Sequence, residues 1–200
     1  MLQIAESRGI PVIIYRPGMI SCHSQTGAAN TDDMLCRLLK QFIQQGTAPD
    51  LDITTDMTPV DYMSQAIVHL SRQKESLGQI FHLVNPQSLQ WSQLLALTRS
   101  QGYPIKQIAY TQWLSQLRDV PMGYQENALG ALSTLFTEKI AGTELTYLDI
   151  SSIRLQFDCQ NTLLGLRDTT IVCPPADSKL LCTFFDYMKN RGFLDSPASV

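Results

Sequence analysis

The residues with the widest chemical repertoire fall in one short turn, Tyr15-Arg16-Pro17-Gly18-Met19-Ile20-Ser21-Cys22-His23. Arg16 can hold a phosphate or carboxylate, Pro17 and Gly18 let the backbone approach a flat ligand, and Ser21 or His23 can donate hydrogen bonds. The alternative is a tight strand-to-loop turn with an exposed Arg, and residue types alone leave both readings open. The eleven glycines never fall into G-x-G-x-x-G, G-x-x-G-x-x-G or a P-loop, the spacings that bring several backbone N–H groups to a pyrophosphate. No Tyr is followed four residues later by Lys; Tyr187 with Arg191 comes nearest. There is no G-x-S-x-G elbow and no H-E-x-x-H. No catalytic residue is therefore assigned, and no complete enzyme of a familiar mechanism is visible.

Metal and disulfide chemistry find little support. Cys22, Cys36, Cys159, Cys173 and Cys182 are an odd, widely spaced set without C-x-x-C, so free and mostly buried thiols are expected. His23, His69 and His82 are far apart; His69 sits in a helical pattern and His82 in a strand pattern, both read as structural. The net charge of −3 and the scattered fifteen Lys and Arg residues argue against nucleic acid as a partner. No apolar run reaches the roughly 18 residues of a membrane span and no targeting segment is visible, so a cytoplasmic protein without membrane contact is expected.

The elements that must carry the turn can be read from periodicity. Leu2–Ser7 has the pattern of a helix end, stopped by Gly9, and Pro11–Tyr15 reads as a strand buried on both faces of a parallel sheet. A helix end feeding directly into a buried strand is half of a βαβ unit, so a truncated domain is expected. From Asn30 the apolar residues Met34, Leu35, Leu38, Leu39, Phe42 and Ile43 form a helical stripe, with Asn30 or Thr31 as N-cap and Gly46 as stop. Thr58-Pro59-Val60-Asp61 resembles a capping box with Pro at the first helical position. The helix behind it turns Val60, Met63, Ile67 and Leu70 inward.

A second strand over 79–84 ends at Asn85-Pro86. Beyond it the periodicity predicts helices over about 91–100, 112–118 and 125–136, a short strand near 105–109, and a last helix capped by Asp177 and stopped at Gly192. The stretch 143–167 has no clear pattern. The chain thus reads as α/β over residues 1–85 and mostly helical over 86–200.

The turn resembles a specific family. Gly9-Ile10-Pro11-Val12-Ile13-Ile14-Tyr15-Arg16-Pro17-Gly18-Met19-Ile20-Ser21, followed by His23-Ser24-Gln25-Thr26-Gly27, is similar to the strand and loop after the catalytic helix of thioester reductases. These are the terminal reductase domains of nonribosomal peptide and polyketide synthases, kin to carboxylic acid reductases within the extended short-chain dehydrogenases. Thr58-Pro59-Val60-Asp61-Tyr62, Ile80-Phe81-His82-Leu83-Val84-Asn85-Pro86, Phe157-Asp158-Cys159-Gln160-Asn161-Thr162, Cys173-Pro174-Pro175 and Gly192-Phe193-Leu194 look like further family segments, in the family's order.

The resemblance implies the C-terminal portion of an NAD(P)-binding Rossmann-like fold, an incomplete parallel sheet plus a mostly helical substrate-binding lobe. It implies NADPH as cofactor and a phosphopantetheinylated acyl or peptidyl carrier protein as partner, whose thioester is released as aldehyde or alcohol. Pro17, Gly18 and Ile20 would flank the nicotinamide, and Ser21 and His23 would line the substrate mouth. The family places its Tyr-x-x-x-Lys helix just before the Pro11–Tyr15 strand, and its glycine-rich loop earlier still. Neither is in this sequence, so inactivity in isolation is expected, with a missing N-terminal reductase half as a further partner. The family usually has Gly at the position of Cys22, where a side chain would narrow the approach to the nicotinamide or demand a glycine-only φ. The competing reading is a non-catalytic module that binds an acyl chain or a carrier protein.

Overall fold

The computed structural model describes residues 4, 7–118, 138–143, 146 and 157–197. In chain order the elements are β1 (Ile14–Pro17), α1 (Met34–Gln45), β2 (Thr47–Pro49), β3 (Thr54–Thr55), α2 (Val60–Ser71), β4 (Ile80–Leu83), β5 (Leu89–Gln90), α3 (Trp91–Ser100), β6 (Lys106–Ile108), α4 (Tyr110–Arg118), α5 (Gln160–Leu166) and α6 (Ser178–Asn190). The helix expected over 125–136 lies outside the described residues, and so does most of the helix end expected over 2–7. The chain forms two compact units, each assembled from three stretches: residues 1–29, 56–89 and 156–184, and residues 30–55, 90–155 and 185–200.

The first unit is built on a parallel pair. β1 and β4 run side by side with Tyr15 opposite Phe81 and Arg16 opposite His82. The rings of Tyr15 and Phe81 stack at 5.8 Å. α2 covers the pair with Tyr62, Met63, Ala66 and Leu70, which bury themselves against Phe81 and Leu83 together with Leu166 of α5. The inward face of α2 thus differs from the expected one: Val60 is 38% exposed, and Tyr62 and Ala66 take its place. The helix starts one residue later than a Pro at its first position would require. Pro59 is the extended N-cap, and the fully buried Thr58 turns its hydroxyl to Asp56 instead of capping.

The burial expected for the first strand is also corrected. β1 spans Ile14–Pro17, its Ile14 and Tyr15 half-buried and its Arg16 and Pro17 exposed, because β4 is its one strand neighbour among the described residues. α5 covers the end of β4 by hydrogen bonds: Thr162 Oγ1 donates to His82 O at 2.8 Å and Asn161 Nδ2 to Ile80 O at 3.0 Å. Gly165 lets α5 sit close, since a Cβ there would lie 2.5 Å from Leu70 Cδ2.

In the second unit α1 lays Leu35, Leu38, Leu39 and Phe42 inward as its stripe predicts, but Met34 and Ile43 at the stripe's ends are only half-buried, and Cys36 and Gln41 are buried with the rest. Its N-cap is Asp33, two or three residues beyond the expected Asn30 or Thr31. Asn30 instead closes the preceding turn by accepting from Asp32 N. Gly46 stops α1 at φ +64°. The chain then enters β2, which pairs in parallel with β6. α3 buries Trp91, Leu94, Leu95 and Thr98, and the Trp91 Nε1–H finds Pro49 O at 2.8 Å. Among the described residues no helix is long and apolar enough to cross a membrane.

Candidate functional site

The Pro17–His23 turn belongs entirely to the first unit. It leaves the end of β1 with Gly18 N–H donating to Leu83 O (2.9 Å) and then runs beside residues 56–58. Thr58 N–H donates to Met19 O, and Ser21 N–H donates to Thr58 O at 2.8 Å. Pro17, half of Gly18 and Ile20 remain open beside this ladder, Ile20 at 40% exposure, so the two larger side chains offer apolar surface. Ser21 Oγ is buried and has no hydrogen-bond partner in the structure. His23 is half-buried; its Nδ1 accepts from Gln25 N at 3.2 Å and lies 4.0 Å from Asp61 Oδ2. An accepting Nδ1 leaves the Nε2–H of the neutral ring available as a donor. The five residues singled out in the sequence thus share one loop, and Ser21 holds an unspent buried hydroxyl within it.

Cys22 does neither of the things expected of it. It is fully buried, and no residue other than glycine has a positive φ among the described residues. The side chain therefore neither narrows a mouth nor strains the backbone. Burial pushes its thiol up to about 12, which keeps it protonated and inert at neutral pH.

Two carboxylates hold the loop, and their importance was not read from the sequence. Asp61, the second residue of α2, accepts from Ser24 N at 2.8 Å and from Ser24 Oγ at 2.6 Å. Burial alone would raise its pKa, but the Ser24 hydroxyl, the Ser24 amide, its own amide and nearby His23 outweigh it and hold it below the ordinary value. A depressed carboxyl stabilises the fold above its unfolded pKa and loses that contribution as pH falls through the folded one. Asp61→Ala is therefore expected to cost about 1–3 kcal/mol at neutral pH. That gap from the wild type should narrow when urea midpoints are compared below pH 3.8, the ordinary value for an aspartate.

The second carboxylate, Asp56, accepts from Met19 N on one oxygen (3.1 Å). On the other it accepts from Asn85 N (2.9 Å) and Thr58 Oγ1 (2.8 Å). Here burial wins over those three bonds and the pKa is raised. Asn85, 4% exposed, ties the same corner further by donating from Nδ2 to Met57 O and Pro174 O. The only sequence signal for Asp56 was an Asp two residues before a Thr-Pro helix start.

Pro17 and Ile20 present an apolar edge that suits the flat face of a ring. The space beside Gly18, which a Cβ would occupy, is taken up by the Asp56 carboxylate, with Val84 Cγ1 3.0 Å away. The open apolar edge of Pro17 and Ile20 fits the ring end of a nicotinamide cofactor. Among the described residues no three His, Cys, Asp or Glu side chains are grouped to hold a metal ion.

Comparison with known proteins agrees with this geometry. The NAD_binding_4 family model, described as male sterility protein, matches residues 1–67. The chain is 39% identical to the terminal R domain from the myxalamid PKS-NRPS biosynthetic pathway, with a TM-score of 0.82, over 98% of this chain and 48% of that one. It is 30% identical to a linear gramicidin synthase of Brevibacillus parabrevis, over 97% of this chain and 4% of that protein. A thiolation-reductase di-domain from an archaeal non-ribosomal peptide synthetase shares the fold, with a TM-score of 0.72 at 18% identity, over 96% of this chain and 39% of that one. The chain thus spans about half or less of each of these relatives. Sequence, fold and the loop after β1 agree: the chain belongs to the thioester reductases, the terminal reductase domains of peptide and polyketide synthases within the extended short-chain dehydrogenase/reductase superfamily.

Proposed function

We propose that this chain forms the substrate-side part of a cytoplasmic, NADPH-dependent thioester reductase that releases a carrier-protein-bound acyl or peptidyl chain as aldehyde or alcohol. The observation that carries the reading is the 39% identity to a terminal R domain over nearly the whole chain. The thiolation-reductase pairing in one relative of the same fold supports a phosphopantetheinylated carrier as the partner.

When bound, NADPH would supply hydride to the thioester carbonyl. In this reading Pro17, Gly18 and Ile20 lie along the nicotinamide edge and keep water from one side of it. Ser21 and His23 line the substrate mouth, His23 offering its Nε2–H as a donor while the Gln25 N–H holds the ring at Nδ1. The 200 residues hold no Tyr-x-x-x-Lys pair and no glycine-rich phosphate loop, so the chain by itself is proposed to bind substrate without turnover.

A fluorescence titration of the purified chain with NADPH at low ionic strength tests this. No saturable binding is expected, because ring contacts without a pyrophosphate cradle leave most of the dinucleotide in water. Saturation at micromolar concentration, about −8 kcal/mol, would require a dinucleotide site elsewhere and would overturn the substrate-side assignment.

A further inference from the structure

One carboxylate ties the centre of the candidate loop to the chain just beyond β4. Asp56 reaches Met19 at the loop's centre and Asn85 just beyond β4, two distant stretches of chain, and also holds Thr58 two residues along its own stretch at the foot of α2. It also fills the volume that any side chain at position 18 would need. Asp61, the other carboxylate at the loop, hydrogen-bonds at its far end, to Ser24, and lies 4.0 Å from His23. From this the geometry points to Asp56 as the positioning residue of the site, the group that sets the height and tilt of Pro17–Ser21 relative to β4 and so the contacts they make with the nicotinamide ring and the substrate. It rests on the function proposed above.

The charge state matters to this role. As a carboxylate, Asp56 offers acceptors to all three donors. When protonated, the oxygen that carries the hydrogen becomes a donor and accepts only weakly from an N–H. Burial raises the Asp56 pKa, so this change occurs at higher pH than for an ordinary Asp. The nearby titratable group is Cys173, which feels the Asp56 charge. Its thiol, pushed up to about 12 chiefly by burial, remains neutral throughout that range.

Asp56→Asn separates positioning from mere support. The amide is the same size and keeps one oxygen for Asn85 and Thr58, but it turns an NH₂ donor toward the Met19 N–H. In amide-resolved NMR, the resonances of Met19, Ile20 and Ser21 should move more than any others outside position 56 and its immediate neighbours. Loop amides unmoved, with only a lower unfolding midpoint, would overturn the proposal.

The wild type supplies a second measurement should the variant not fold. Met19 and Asn85 amides should titrate together at one midpoint above the ordinary Asp value, and independent or absent titration would sink the idea. Octanoyl-pantetheine, added as a thioester probe, separates this proposal from the functional reading. Binding weakened about tenfold in Asp56→Asn supports both. No binding to the wild type, with the loop shifts as expected, counts against the thioester function and leaves the positioning role standing. Equal binding by both proteins overturns the positioning role.

Discussion

Gly18→Ala should lower stability by about 3–5 kcal/mol, combining overpacking with lost hydrogen bonds to a charged group. Gly18 is not in the left-handed region, so the cost is steric: the added methyl meets the Asp56 carboxylate, with Val84 Cγ1 at 3.0 Å on another side. A long surface side chain would swing away. Asp56 is short and fixed by Met19, Asn85 and Thr58, so moving it breaks those bonds and leaves a partly buried charge short of donors. Urea unfolding at neutral pH measures the loss. A midpoint within error of the wild type would show that Asp56 has a second orientation of equal energy, and that the corner is not held as described.

The second large effect lies in the other unit. Phe42 is 1% exposed and meets two indoles edge-on, Trp91 at 5.6 Å and Trp113 at 5.7 Å. Removing such a ring typically costs about 3–5 kcal/mol. The two aromatic contacts each add roughly 0.5–1.5 kcal/mol beyond the area they bury. Phe42→Ala is therefore expected to fall at the upper end of that range. The readout is built in, because these are the only two tryptophans of the chain: their emission should shift to the red as water reaches the void. A loss near 1 kcal/mol with unchanged emission would mean that α1 collapses onto the indoles and fills the space.

Much of the local structure was legible because it is set by neighbours in sequence. The stops at Gly46 and Gly192 both adopt positive φ, as a helix end followed by glycine should. α3 begins and ends where its period and flanking residues indicated, and Asp177 caps α6 through Leu180 N at 3.0 Å. Small errors in helix starts arose where two cap chemistries competed, at Thr58-Pro59 and at Asn30–Asp33. There a side chain preferred a different partner over the helix end next to it. The family was legible too, since the ordered motifs are short strings whose identity needs no coordinates.

What the sequence by itself determined is therefore most of the elements, the family, and which loop gathers the polar residues. Tertiary structure alone decided what each residue in that loop faces. Met19 bonds to a carboxylate 37 positions away, Asn85 to a carbonyl 89 positions away, and Cys22 turns fully into the core. Periodicity reports only which way a side chain points from its own helix or strand, over a few residues. Which carboxylate enters the space a glycine leaves open is decided by how separate stretches pack, and the interior is too dense for more than one answer.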